Sequence, residues 1–395
     1  MKTVKFFTNR NLLIKLCIVA GIASFSLSAC NNKANNKSSS SDSSTMKADS
    51  NTNTSTDNKP AGGNASIKPS GPAPSWAPTI KPEMQAVMEK LQSYGDKPIE
   101  TLTAQEARKN HTPTDAVMDL IKENHISLPP SAVDTAGIEI PVSGGSIHAR
   151  TYTPKAGKSP YPVIVYYHGG GFVIANLDVY DASAKSLAEQ VGAVVVSVAY
   201  RLGPEHKFPT AHNDSFAAYQ WVVKNTASLK GDPKKIAVAG ESAGGNLAVN
   251  MAIMARDKGI MLPVHILSVY PIANSDVNSE SYKKNANAKP LNKPVMAWFT
   301  KNYVNNMAET KDPRIMLVAA NLKGLPSTTI ITDEIDPLQS EGMLLAEKLK
   351  AAGVKVDSKN FDGVTHEFFG MGAVVPQAKE AMAYAAGQLK SAFGM

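Results

Sequence analysis

The sequence predicts an α/β fold, a mainly parallel central sheet with helices on both faces. Three observations lead there. Strand-like and helix-like segments alternate from about residue 160 to the C-terminal end, the pattern of parallel strands joined by helices. Two of the strand-like runs, Val163-Ile164-Val165-Tyr166-Tyr167 and Val194-Val195-Val196-Ser197-Val198, are nearly continuous in apolar residues, as expected for strands covered on both faces. A third, Ile236-Ala237-Val238-Ala239, runs into Gly240-Glu241-Ser242-Ala243-Gly244-Gly245 and then into an apolar-periodic stretch from Leu247 to Ala255. That order of strand, sharp turn and helix gives the five-residue G-x-S-x-G pattern its meaning; without it the stretch would read as a glycine-rich turn with an incidental serine.

The 395 residues allow two or three domains, and a hydrophobic content of 43% suffices for a large core. The N-terminus is read first because it dominates the charge. Lys2, Lys5, Arg10 and Lys15 precede an apolar run, Leu16 to Leu27, that is short for a membrane span. The run ends in Leu27-Ser28-Ala29-Cys30, the pattern of a bacterial lipoprotein signal cut before Cys30. The formal charge is +7; residues 1–29 hold four bases and no acid, so the remainder carries +3, no nucleic-acid footprint. Cys17 lies inside the signal and Cys30 is the lipidation site, leaving no thiol for a disulfide, a cysteine-ligated metal or a cysteine nucleophile. Residues 31 to about 75 are mostly Asn, Ser, Thr, Lys, Gly and Pro and bury too little to order themselves. The expected organisation is a signal over 1–29, the lipidated cysteine and a disordered tether over 30–75, and a folded domain over 76–395. The expected location is that of an exported, membrane-anchored lipoprotein, facing the periplasm or on the outer membrane.

In the folded domain, Met84, Val87, Met88 and Leu91 fall at helical spacing within Pro82 to Tyr94. Thr103 to Lys109 and Thr114 to Glu123 read as further short helices. Ile138 to Val142 and Ser146 to Tyr152 read as a hairpin turned at Gly144-Gly145. Helices are expected over 182–191, 211–224, 338–352 and 376–392, and further strands over 266–270, 328–332 and 354–361. Residues 273 to about 310 interrupt the alternation and read as an insertion above the sheet, helical from about Pro294 to Asn306.

The chemistry gathers in loops that follow strands, the end at which open α/β sheets hold their sites. Ser242 sits on the sharp turn, where Gly240 and Gly244 lack the Cβ atoms that would block it. His168-Gly169-Gly170-Gly171 follows another buried strand, so the N–H groups of Gly170, Gly171 and Ala243 offer three donors to a developing oxyanion. Asp333-Glu334-Ile335-Asp336 and His366 follow the last two strands. A hydroxyl nucleophile needs a base, and the base needs an orienting carboxylate; the order Ser242, Asp336, His366 fits that need, with Asp333 and Glu334 as rival acids.

These stretches resemble the bacterial hormone-sensitive-lipase family, family IV of the α/β-hydrolase esterases. The matching residues are His168-Gly169-Gly170-Gly171-Phe172, Tyr200-Arg201-Leu202-Gly203-Pro204-Glu205-His206, Gly240-Glu241-Ser242-Ala243-Gly244-Gly245, Asp336-Pro337-Leu338 and His366, spread over residues 80 to 395 in the family's order. The resemblance implies Asp336 as the triad acid, and a cap built from about 76–127 and 273–310. It implies hydrolysis of short to medium acyl esters, a small-molecule ester as partner, and no cofactor. A homodimer is left open. The chain departs from the family in Glu241 for Asp, in Gly203 for Ala, and in Gln339-Ser340 for the Arg-Asp that follows Asp-Pro-Leu, expected to loosen the Asp336 loop. Glu367 stands where Gly is usual.

Other residues carry plainer readings. His168, Glu205, His206 and Asp214 are expected to brace the framework. Met296, Trp298 and Phe299 either line an acyl pocket or pack the cap helix. His366-Glu367 lacks the second histidine of a zinc-protease helix, so no metal site is expected. Two alternatives to an esterase share these residues: an amidase or acyl transferase using the same triad, and a non-catalytic small-molecule binding protein on the same fold.

Overall fold

The computed structural model describes residues 67–395. The expected signal, Cys30 and the expected tether up to residue 66 lie outside the described residues. A single eight-stranded sheet organises the chain, with β1 (Val133–Val142), β2 (Gly145–Pro154), β3 (Tyr161–Tyr167), β4 (Val194–Val198), β5 (Gly231–Glu241), β6 (His265–Val269), β7 (Ser327–Ile335) and β8 (Val356–Thr365). Their order across the sheet is β1-β2-β4-β3-β5-β6-β7-β8. β1 and β2 form the expected hairpin, and β2 pairs antiparallel with β4; every other pairing is parallel.

Among the described residues ten helices surround it: α1 (Pro82–Ser93), α2 (Ala104–Ala107), α3 (Pro113–Glu123), α4 (Asp181–Val191), α5 (Thr210–Asn225), α6 (Ala243–Asp257), α7 (Glu280–Lys284), α8 (Lys293–Tyr303), α9 (Gln339–Ala351) and α10 (Pro376–Phe393). The starts of α2 and α3 are written in the sequence, because Thr103 with Glu106 and Thr112 with Asp115 each close a capping box. Pro82, Pro113 and Pro376 stand at the first positions of their helices, where a missing N–H costs nothing.

The continuous apolar strands divide between two cores by alternation. Val163, Val165 and Tyr167 of β3 face the core shared with α5, α6 and α9, while Ile164 and Tyr166 face the core shared with α1, α3, α4 and α10. Burial on both sides is why these strands lack a polar face.

Three expectations are corrected. Two strands run past their apolar signatures: β5 begins at Gly231 and β8 ends at Thr365, because backbone pairing continues through polar residues. The insertion after β6 holds a short helix, α7, that its polar sequence hid. The tether ends earlier than residue 75: Ile67 is buried, Ser70 donates from its backbone N–H and its hydroxyl to Glu89 of α1, and Gln85 donates to the carbonyls of Gly71 and Pro72. Polar composition concealed an ordered segment held by hydrogen bonds and by the buried side chain of Ile67. No helix among the described residues is long and apolar enough to cross a membrane.

Candidate active site

β5 ends at Glu241 and α6 begins at Ala243, leaving Ser242 alone at the turn. Its backbone takes φ 56°, ψ −117°, a conformation costly for any residue with a Cβ and held only by its surroundings. The Ser242 N–H donates to Val269 O of β6 (2.9 Å), and the Ser242 carbonyl accepts from Asn246 (3.1 Å). The glycines around it are required by space. A Cβ on Gly240 would strike the carbonyl of Gly244, and one on Gly244 would strike the carbonyls of Tyr167 and His168 at the end of β3.

β8 ends at Thr365, so His366 arrives beside this turn from three strands away. His366 Nε2 lies 2.9 Å from Ser242 Oγ and Nδ1 lies 2.7 Å from Asp336 Oδ2. A carboxylate only accepts, so Nδ1 carries the proton and Nε2 is left to accept from the hydroxyl. The other Asp336 oxygen, Oδ1, accepts from the Leu338 N–H (2.8 Å). Burial by itself lowers the His366 pKa; the charge and hydrogen bond of Asp336 more than offset it, and the net shift is upward from 6.5.

The rival acids have other surroundings. Glu334 accepts from Thr79 and from the Gly363 N–H, tying the segment before α1 to β8. Asp333 is fully buried with no hydrogen-bond donor to either oxygen. Burial, the charge of the neighbouring Asp336 and a hydrogen bond between the two carboxyls raise its pKa well above the usual carboxylate value. Asp333, Asp336 and His366 have ligand-type atoms within 4.8 Å of one another, but the Asp336–His366 hydrogen bond engages two of the three.

The Asp336 loop is firm, contrary to the expectation from Gln339-Ser340. Ser340 and Ser281 of α7 exchange hydrogen bonds, each N–H donating to the other's hydroxyl at 3.1 Å. Ser281 Oγ also donates to Pro337 O (2.6 Å), Asn285 donates to Asp336 O (2.9 Å), and Gln339 donates to Asn360 of β8 (2.9 Å). No spacing rule marks Ser281 or Asn285, because their partners lie more than fifty residues away.

Glu241, which stands where the family has Asp, has a structural task. It is buried under the turn and accepts from Tyr166 of β3 (2.5 Å) and from Tyr270 after β6. Burial raises its pKa, against the two phenol hydrogen bonds, which lower it. An acid between a buried strand and a buried helix was the available signal that such partners must exist.

The N–H groups of Gly170, Gly171 and Ala243 have no backbone or side-chain acceptor among the described residues. Gly170 has φ 91° and Gly171 φ 59°, both natural to glycine. A Cβ at Gly170 would meet Ile174 O, and one at Gly171 would meet the ring of Phe299. Gly170 and Gly171 line the same cavity as Ser242, and Ala243 follows Ser242 directly at the start of α6.

Ser242 and His366 open onto a cavity of about 1070 Å³. Both expected cap segments line it, with Met88 and Leu91 from α1 and with Leu291, Val295 and Phe299 around α8. Ser242 is therefore only 4% exposed, not solvent-facing. Of the three cap residues singled out, Phe299 reaches the cavity; Trp298 instead donates to Leu102 O (2.9 Å). His168 is buried, stacked on Tyr200, and bonded through Nδ1 to Gly169 O (2.8 Å); burial lowers its pKa to about 4. Glu205 is clamped by Arg108, which lowers its pKa to about 2 despite partial burial, and Asp214 is clamped by Arg201. Each of these three braces a loop.

Residues 164–370 match the family model of the alpha/beta hydrolase fold. The chain is 42% identical over 250 residues to the carboxylesterase NlhH of Mycobacterium tuberculosis, covering 62% of this chain and 78% of that one. It is 28% identical over 313 residues to an ethyl acetate hydrolase of Pseudomonas putida, covering 77% of this chain and 96% of the other. Among solved structures it resembles the hyperthermophilic esterase of Pyrobaculum calidifontis, with TM-score 0.72, 35% identity, and coverage of 79% and 98% of the two chains.

Proposed function

Because this chain belongs to the hormone-sensitive-lipase family of α/β-hydrolase esterases, we propose that it hydrolyses carboxylic esters of short to medium acyl chains through Ser242, His366 and Asp336. The observation that carries the reading is the unbroken hydrogen-bond chain from Ser242 Oγ through His366 to Asp336, opening onto a cavity beside three free N–H donors.

In this mechanism Ser242 Oγ attacks the acyl carbon while His366 Nε2 takes its proton. Asp336 holds the imidazole tautomer and stabilises the imidazolium. The N–H groups of Gly170, Gly171 and Ala243 receive the oxyanion. His366 then gives its proton to the leaving alcohol, the acyl-enzyme forms, and a water deprotonated by the same nitrogen releases the acid. The ethyl acetate hydrolase among the relatives supports the short end of the range.

The test is a series of nitrophenyl esters of increasing acyl length, with nitrophenyl anilides as the amide control, run on the wild type and Ser242→Ala. Wild type should cleave the short esters and leave the anilides. Ser242→Ala should keep the fold and lose the activity. Wild-type rates in that variant, or faster cleavage of the anilides, would overturn the reading.

A further inference from the structure

Glu367 follows His366 directly and faces the same cavity as Ser242. Its backbone sits at φ 71°, in the left-handed region, where a side-chain-bearing residue is costly. The usual family glycine would fit there more easily, so the side chain needs a reason.

Its surroundings are specific. Glu367 Oε1 accepts from the Tyr180 hydroxyl at 3.1 Å, and no donor among the described residues reaches Oε2. Tyr180 in turn packs on the oxyanion loop, since a Cβ at Gly169 would collide with its phenol oxygen. The carboxyl is thus strung between the His366 turn and the oxyanion loop. Among the described residues it forms no salt bridge, and the cavity's two arginines are committed elsewhere, Arg108 to Glu205 and Arg201 to Asp214. Lys289, at the cavity wall, donates to Gln92. Burial raises the Glu367 pKa, partly countered by His366. Lys97 also stands at the cavity wall, but among the described residues no Lys or Arg comes within salt-bridge distance of the Glu367 carboxyl.

Chemistry fixes which half of an ester lies here. The leaving oxygen must meet His366 Nε2, which protonates it, so the alcohol extends on the imidazole side, toward the His366-Glu367 turn. We propose that Glu367 is a specificity-determining residue for the leaving alcohol, and that the favoured alcohols carry a cationic group such as an ammonium close to the ester oxygen. The proposal rests on the ester-hydrolase reading above.

Two acetates of the same shape test it: 2-(trimethylammonio)ethyl acetate and 3,3-dimethylbutyl acetate, which differ by one charge. The quantity read is the ratio of their kcat/KM values in the wild type, in Glu367→Gln and in Glu367→Gly, with 4-nitrophenyl acetate as the check on ester hydrolysis. Glu367→Gln keeps the acceptor for Tyr180, Glu367→Gly relieves the backbone, and thermal melting reports the fold of both. The wild type should favour the cationic ester, and each variant should lower the ratio about tenfold, the scale of one short-range charge pair in a partly open site. A ratio within twofold of wild type in either folded variant overturns the proposal. So does a wild type that cleaves the nitrophenyl ester and neither isostere, or that prefers the neutral one. A wild type that cleaves none of the three overturns the hydrolase reading itself.

Discussion

Asp336 and Asp333 stand three residues apart beside the same histidine, and their environments give them opposite states. Asp336 has a donor on each oxygen; Asp333 has none. Asp336→Asn should lower kcat by about 10⁴-fold, by analogy with the serine proteases, since the amide favours the wrong imidazole tautomer. Asp333 makes no hydrogen bond to His366, so Asp333→Asn should cost far less; the reverse ranking in steady-state kinetics would move the orienting role to Asp333. The pKa of Asp333 also sets a stability prediction. Folded Asp333 keeps a proton that the unfolded chain releases above the ordinary carboxylate range, so the unfolded state binds fewer protons and stability falls as pH rises. Asp333→Asn removes that loss, so the Tm difference between variant and wild type should move in the variant's favour as pH rises above the ordinary carboxylate range. His366 must be neutral to act as base, and its pKa is raised. The acid limb of kcat/KM should therefore have its midpoint above 6.5, and pH–rate profiles would show this directly.

At the scale of elements, the site depends on α7 as much as on the strands. Ser281 and Asn285 hold Pro337 and Asp336 by their carbonyls, so this short helix fixes where the carboxylate points. The double variant Ser281→Ala, Asn285→Ala should lower kcat by about 10- to 100-fold with little change in KM, the scale expected for a displaced catalytic group. An unchanged kcat in stopped-time assays would show that β7 alone positions the loop. The strand-to-helix turn is less forgiving. Gly244→Ala forces a Cβ into the carbonyls that end β3 and should abolish soluble expression of folded protein or shift α6 enough to silence Ser242.

For the whole molecule, the ordered segment before α1 divides two truncations that composition would treat alike. A chain starting at residue 67 should melt like the full-length protein. A chain starting at residue 76 loses buried Ile67 and the Ser70 hydrogen bonds to Glu89, a cost of about 2 kcal/mol, and should melt a few degrees lower. Equal melting of the two chains in calorimetry would show that this segment contributes nothing. We also propose that the intact chain is exported and held to a membrane through lipid on Cys30, a reading supported by the basic residues, apolar run and small residues ahead of it. Wild-type cells should incorporate a fatty-acid probe into the protein and Cys30→Ser cells should not; absence of label in wild type would leave ordinary secretion.

The alternation of apolar runs, the glycines around Ser242 and the positions of Asp336 and His366 after their strands were legible in the sequence, because each reflects local geometry. A buried strand needs apolar residues on both faces, and a tight turn needs residues without side chains. What lay beyond reach were relations between distant segments. Asp333 and Asp336 share a loop in the sequence, and only packing decides that one is bonded to His366 and the other is buried against its neighbour. The clamp from Ser281 and Asn285, the seat of Glu241 between Tyr166 and Tyr270, and the anchoring of residues 67–75 on Glu89 and Gln85 all join groups whose spacing obeys no period. Such contacts form only when the sheet order brings chain-distant elements together, and there burial turns an ordinary polar side chain into one that must find a partner.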